Sequence, residues 1–375
     1  MFKLALNTEQ EFCELREEWD ALLDETEDLD FFSTWEWNYS WWKNFKEDKQ
    51  LFLLTLRDEA NVLVGIFPGC IFKYNYFGLL RLRVLQFIGK GIDRNSTGEY
   101  SDFLDVIVHR KFKTQAFESL LAFLKSRNDL YDMIYLNSMK ETSDLLSYLR
   151  NHVKDPTAHC RIEKDFFVYF ASLPGDIDEY LKGLSSSFRA SIRRKVRKWE
   201  KSYDGRLCTA EDRESTEDFF VNFFSLVRKR HRKIMSNERE AFHRDIARFS
   251  FEKNRFWAIS TKIENKYSAV AVVYLFKDKG YFYQHAINPQ FSKDSPGMVL
   301  FYYMFEKLIC SGITRLELLR GEYDYKKQFG KDHVYLFNVY LGMGTLRSKI
   351  YLITYSSIEK IKAMVKLVIR RNESN

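Results

Sequence analysis

"INPQFSKDSPGMVLFYYMFEKLICSGITRLELLRGEYDYKKQFG", residues 287–330, holds in order the end of a strand, a polar loop, an aromatic-rich helix, a second strand and a turn crowded with tyrosine and lysine. Strand and helix alternating in this way predict an α/β (mixed α+β) sheet. In the loop "NPQFSKDSPG", Pro296 suits a first helical turn and Ser295 is placed to cap it. The N–H groups that begin such a helix, at Gly297 and Met298, face whatever enters the loop, and Lys293 stands nearby. The segment is therefore either a cradle for a pyrophosphate or simply a helix start.

On the strand "YFYQHAI" before the loop, the two-residue alternation predicts Tyr281, Tyr283 and His285 on one face. That row supplies a general acid, orients a substrate, or packs as core. In "TRLELLRG", Leu316 and Leu318 point one way and Arg315, Glu317 and Leu319 the other. A carboxylate on so apolar a strand becomes a useful base if burial raises its pKa; the other reading is a structural ion pair, with Arg320 as a partner. Beyond the strand, Arg320, Tyr323, Tyr325 and Lys326 occupy a turn for which Gly, Asn or Asp would suffice. Aromatic and cationic side chains clustered at a strand end point to a polar site.

The chain of 375 residues is 45% hydrophobic and 17% aromatic, enough for two ordinary cores, which excludes a disordered protein. Thr8 with Glu11, and Ser33 with Glu36, are spaced as capping boxes for the first helices. Strands at "LFLLTLR", "VLVGIFPGCIF", "LRVLQFIG" and "DMIYLNS" follow, with a helix at 112–126. Around 150–165 the sequence turns polar and contains Pro156, so the expected domains are 1–155 and 156–375. Both halves run helices, strands, helix, strand, a plan that suggests duplication although the residues show no repeat.

No apolar run approaches the ~20 residues of a membrane span, and the N-terminal stretch turns acidic early, so a cytoplasmic location is expected. Five scattered cysteines without a CxxC pair or a Cys/His cluster give neither a disulfide framework nor a metal site. The net charge of +7 is unevenly placed: the first thirty residues are acidic, whereas 188–201 and "RKRHRK" (228–233) are basic. The helix from Ser187 puts Phe188, Ile192, Val196 and Trp199 on one stripe and Arg189, Arg193, Arg194, Arg197 and Lys198 elsewhere. It is a solvated face, or a surface for a phosphate-bearing substrate such as a nucleotide sugar, or for RNA. His231 is a site residue or a solvent-facing one. The tail "IEKIKAMVKLVIRR" is amphipathic and basic, fitting a packed last helix or peripheral membrane contact.

Taken together, "LDFFSTWEWNYSWWKNF", "SSSFRASIRRKVRKWEK", "LVRKRH" and the segment 287–330 resemble, in order and spacing, the CelD/BcsL-type acyltransferases of the GNAT superfamily. The chain is similar, more distantly, to the Fem-type aminoacyltransferases, which share an aromatic-Lys-x-x-Phe-Gly element like "YKKQFG". The resemblance implies two tandem GNAT-like domains and transfer of an acyl group from acetyl-CoA or another acyl-CoA, without a metal, to an amine or hydroxyl. In the Fem-like alternative the donor is an aminoacyl-tRNA, and a third reading is a non-catalytic module gripping an anionic partner. The family name suggests a sugar nucleotide or polysaccharide precursor as acceptor. It also implies Glu317 or His231 as base, Lys326 and Arg320 on phosphate or the developing oxyanion, Tyr325 positioning the acceptor, and residues 295–297 on pyrophosphate. Two departures stand out: the loop lacks the usual Gln/Arg-x-x-Gly-x-Gly/Ala spelling, and Glu317 replaces the family's Asp.

Overall fold

The computed structural model describes residues 2–89, 98–152, 160–203, 207–230, 235–321, 324–355 and 357. His231, Tyr323 and the tail 358–371 lie outside the described residues.

The first half contains β1 (Lys3–Asn7), α1 (Glu9–Glu14), α2 (Arg16–Asp24), α3 (Trp35–Phe45), β2 (Lys49–Arg57), β3 (Leu63–Tyr76), β4 (Leu80–Phe87), β5 (Ile107–Val108), α4 (Lys113–Ser126), β6 (Met133–Lys140) and α5 (Asp144–His152). The second contains β7 (Cys160–Ser172), α6 (Ile177–Gly183), α7 (Ser186–Ser202), β8 (Cys208–Thr209), α8 (Arg213–Arg230), α9 (Asn237–Ser250), β9 (Phe256–Ile263), β10 (Lys266–Phe276), β11 (Lys279–Ile287), α10 (Pro296–Cys310), β12 (Arg315–Glu317), α11 (Asp324–Phe329) and β13 (Asp332–Gly342). Thr8 and Glu11 close the expected capping box, but α3 is capped one residue later than expected. Thr34, not Ser33, accepts the Trp37 N–H, because Ser33 belongs to a 3-10 turn over Phe31–Ser33.

The topology shows the duplication that the residues hide. Strand order is β1-β2-β3-β4-β6-β13 in one set and β8-β9-β10-β11-β12-β7 in the other. In each set four antiparallel strands precede a helix, α4 or α10, that crosses to a parallel neighbour: β4 with β6, β11 with β12. Each then gains an antiparallel strand, β13 beside β6 and β7 beside β12. The sixth strand of the first set, β13, thus comes from the second half of the chain, whereas β7, which opens that half, completes the second set.

The pairing of β13 with β6 carries the C-terminal residues into the first compact unit. Unit 1 comprises Met1–Leu29, Ser33–Asp165 and Leu336–Asn375, and unit 2 comprises Asp30–Phe32 and Phe166–Tyr335. The partition differs from a single cut after 155 because Leu336–Gly342 pairs with β6, and because Phe31 stacks on Tyr274 with ring centroids 4.4 Å apart.

In unit 2 the sheet has two apolar faces. One packs Ala271, Val273, Phe282, Leu316 and Leu318 with Trp199 of α7 and Phe305 of α10. Burying each large side chain there contributes about 1.5–3 kcal/mol. The other packs Phe256, Tyr274 and Tyr283 with Phe220 of α8 and His243 of α9. The basic helix α7 buries Ile192, Val196 and Trp199 and rests Phe188 against the same core, the stripe expected from its spacing.

Candidate active site

β11 and β12 run parallel for three registered pairs, Lys279–Arg315, Gly280–Leu316 and Tyr281–Glu317. β12 then ends, while β11 continues to Ile287. Past Tyr281, β11 therefore has no registered β12 partner. At the same point β11 carries a bulge: Val272 pairs with Gln284 and Val273 with Phe282, leaving Tyr283 as the extra residue. An extra residue inverts the side-chain alternation, which corrects the expectation of one shared face. Tyr281 and Tyr283 remain together, near Phe32. His285 turns to the opposite face, its ring 5.8 Å from Tyr325 and 6.1 Å from Phe301.

Glu317 closes the registered stretch. It is buried, and burial raises its carboxyl to about 7; the Arg315 charge opposes that rise and the Asp30 charge adds to it, with Lys279 lowering it again. Oε1 accepts a hydrogen bond from Arg315 Nε at 2.5 Å, and Oε2 has no hydrogen-bond partner among the described residues. The ion-pair partner is Arg315, two residues back on the same strand face, rather than Arg320. The Arg315 guanidinium also lies 3.5 Å from the centre of the Phe170 ring, and Arg320 sits over Phe166 at 4.8 Å. Asp30 Oδ1 accepts from Tyr281 Oη at 2.8 Å and from Lys279 Nζ at 3.3 Å. The Tyr281 hydroxyl is accordingly held well above its ordinary pKa, by burial first and by the Asp30 and Glu317 charges after it.

The turn after β12 is built around one cation. Leu319 has φ 55° and Gly321 φ 106°, left-handed backbone that bends the chain sharply out of the strand. Lys326, buried in α11, donates from Nζ to the carbonyl oxygens of Leu319 (2.9 Å) and Arg320 (2.6 Å). Phe329 stacks on Phe301 at 4.6 Å, and its carbonyl accepts the Tyr180 hydroxyl at 2.6 Å. At Gly330 a β-carbon would collide with the Phe170 carbonyl oxygen, so the "YKKQFG" glycine permits the close approach to β7.

In the loop before α10 the expected cap is absent. Ser295 lies in the left-handed region (φ 56°, ψ 43°) and its side chain makes no cap hydrogen bond; its carbonyl instead accepts the Met298 N–H at 3.0 Å and the Val299 N–H at 3.3 Å. Pro296 has no N–H, so Gly297 supplies the remaining amide of that turn. A β-carbon on Gly297 would lie 2.6 Å from Cδ1 of Ile287, so glycine lets the helix start close against β11. Lys293 is exposed in this loop, and Asp294 receives Lys198 Nζ of α7 at 3.4 Å. α7 presents Arg189, Arg193, Arg194, Arg197, Lys198 and Lys201 along a groove of about 660 Å³. Within it Arg193 is paired to Asp178 at 2.7 Å, and Arg189 donates to the Lys182 carbonyl at 3.1 Å.

Residues 186–327, which span this site from α7 to α11, match the family model described as an acetyltransferase (GNAT) domain. The chain carries a GNAT acyltransferase domain. It is an enzyme of that class. Its fold is similar to that of FemX, with 12% identity and a TM-score of 0.60 over 94% of this chain and 99% of that one. A conserved protein of unknown function from Bacteroides thetaiotaomicron gives 12%, 0.54, 91% and 100%, and L-PGS from Bacillus licheniformis gives 12%, 0.52, 90% and 96%. A comparison with curated protein sequences finds no match.

Of the sequence-derived candidates in the acyltransferase, Tyr281, Tyr283 and Glu317 share one face of unit 2, while His285 and Tyr325 meet Phe301 on the other. Sequence reasoning missed Asp30, which lies some 250 positions from its partners Lys279 and Tyr281. Asp30 belongs to "LDFF" (29–32), ahead of the expected capping box at Ser33 and Glu36. Sequence reasoning also missed His243, which is fully buried, with its ring 5.8 Å from Tyr283 and its pKa pushed down to about 3 by burial, then by Arg239 and Arg244. A histidine on an apolar helix face has no sequence signal that separates it from core.

Proposed function

We propose that the enzyme transfers an acyl group from an acyl-CoA thioester to an amine or hydroxyl of a small acceptor by direct attack in a ternary complex. The carrying observation is the end of the β11/β12 pairing, where strand edge without a registered partner begins beside a buried carboxylate with an unpartnered oxygen. An extended donor arm with two amides suits such an edge, since strand-like hydrogen bonds satisfy amides on both sides. Lys293, Gly297 and Met298 border the loop where its pyrophosphate would lie, with Lys198 bonded to Asp294 there; only some of the turn's amides are available, so the cations carry more of that contact. Glu317, with a pKa near neutrality, takes the acceptor's proton as the new bond to the acyl carbon forms and the carbon–sulfur bond breaks. Lys326 acts by fixing the turn, and His285 and Tyr325 border the other side of the opened edge.

The resemblance to CelD/BcsL-type enzymes supports a sugar nucleotide or polysaccharide precursor as acceptor, and the cytoplasm as the compartment where acyl-CoA is available. A second reading, an aminoacyl-tRNA donor, is favoured by the six cations along α7 and by the FemX-like fold.

Calorimetric titration with acetyl-CoA and longer acyl-CoAs tests the first reading. Saturable binding that weakens in Lys293→Glu and survives in Glu317→Gln supports it. Absence of binding across the series at low salt overturns it and turns the search to charged tRNA.

A further inference from the structure

Unit 1 exposes large apolar side chains on two adjoining elements. The β3–β4 hairpin turns through Phe77, Gly78 and Leu79, and Phe77 is 72% and Leu79 92% exposed. Beside it, the helix over 346–355 buries Tyr351 and Leu352 against Phe72, Leu82 and Val84 of the sheet. The same helix leaves Leu346, Ile350 and Ile353 exposed, at 74%, 42% and 64%, and spacings of four and three place them on one side. Tyr76 joins the two elements, with its ring 4.5 Å from Phe77 and 4.8 Å from Tyr351. Exposed hydrophobics scattered singly need no explanation, but five gathered on neighbouring elements do.

The charge around them is positive. Lys73 and Arg81 stand behind the hairpin tip, and Arg347 and Lys349 flank the exposed helix side. Two acids stand by this helix, each met by arginine: buried Asp132 is approached by Arg83 and Arg347 at 3.5 and 3.9 Å, and Glu163, which accepts the Tyr355 hydroxyl at 2.9 Å, pairs with Arg161 at 2.8 Å. Among the described residues no helix is long and apolar enough to cross a membrane.

We propose that this face docks on the surface of an anionic lipid bilayer, with Phe77 and Leu79 entering the interface and the flanking cations meeting the headgroups. Two apolar side chains on a hairpin tip, with cations set back behind them, match a boundary whose outer layer is anionic and whose inner layer is apolar. The cations make the contact salt-sensitive, and the apolar tip makes it survive partial screening.

Flotation of the full-length protein with vesicles of phosphatidylcholine alone, or mixed with phosphatidylglycerol, tests this at low and moderate salt. The expected result is binding to the mixed vesicles, weaker at higher salt, and reduced about tenfold in Phe77→Ser/Leu79→Ser. Ile350→Ser/Ile353→Ser serves as a second variant, and circular dichroism with a melting curve verifies that both remain folded. Failure to float with the mixed vesicles, or flotation unchanged in both variants, overturns the proposal. So does concentration-dependent dimerisation, lost in the variants, by a protein that ignores vesicles: the patch would then belong to a second copy of the chain.

Discussion

Glu317 illustrates how one side chain acquires a function from its surroundings. An exposed glutamate is a poor base at neutral pH because it holds a proton too weakly; burial at the end of β12 lifts its pKa to about 7, against the pull of Arg315. Activity should therefore rise with pH through about 7, and Glu317→Gln should lower kcat on the order of 10²- to 10⁴-fold while leaving donor binding intact. Steady-state kinetics across pH and calorimetry check both halves. Stability carries the opposite sign. A folded-state pKa above the ordinary 4.5 means that Glu317 favours folding when protonated, a contribution fully present below 4.5 and lost as pH rises through 7. Thermal melts of the wild type should fall over that window relative to Glu317→Gln. Asp30 raises the Glu317 pKa, so Asp30→Asn should move the midpoint of the activity profile to lower pH. An unchanged midpoint with lowered kcat would assign Asp30 a packing role only.

At the scale of elements, the turn from β12 into α11 decides where the site sits. Lys326 holds two carbonyls of a left-handed bend, and Gly330 lets the helix end approach Phe170. Lys326→Met removes both donors and leaves carbonyl oxygens of Leu319 and Arg320 without them, at a cost of about 2 kcal/mol or more. Chemical denaturation measures that loss, and a fall in kcat accompanies it because the carboxylate shifts with the turn. Gly330→Ala should be destabilising by a similar amount, since the clash is with backbone rather than with a side chain that could swing away. In the sequence, "YKKQFG" announces itself as unusual. That its lysine faces carbonyl groups follows only from the bend, which depends on a positive φ at Leu319 that nothing in a leucine foretells. The same limit applies to β11: one bulged tyrosine sends His285 to the other face, and strict alternation has no means of counting an extra residue in advance.

For the whole molecule, the pairing of β13 with β6 makes unit 1 dependent on both ends of the chain. A fragment of residues 1–155 lacks β13, which leaves the hydrogen-bonding edge of β6 bare, and bare edges aggregate or fray. It should fail to give a cooperative unfolding transition, whereas the full chain should give one; calorimetry of the two distinguishes them. A cooperative fragment would show that β13 is dispensable. Proximity in sequence does not choose a strand's neighbours.

The sequence by itself determined the order of strands and helices, the buried stripe of α7 and the facing of Leu316 against Glu317, because these rest on periodicity and spacing within a few residues; the acyltransferase class came from the resemblance of whole segments to a known family. Tertiary structure alone decided that Asp30 meets Lys279 and Tyr281, that β13 pairs with β6 and β7 with β12, and that Glu317 has an oxygen without a hydrogen-bond partner among the described residues. Those depend on which distant backbone groups find each other, and on how much water is excluded when they do, quantities that no local pattern contains.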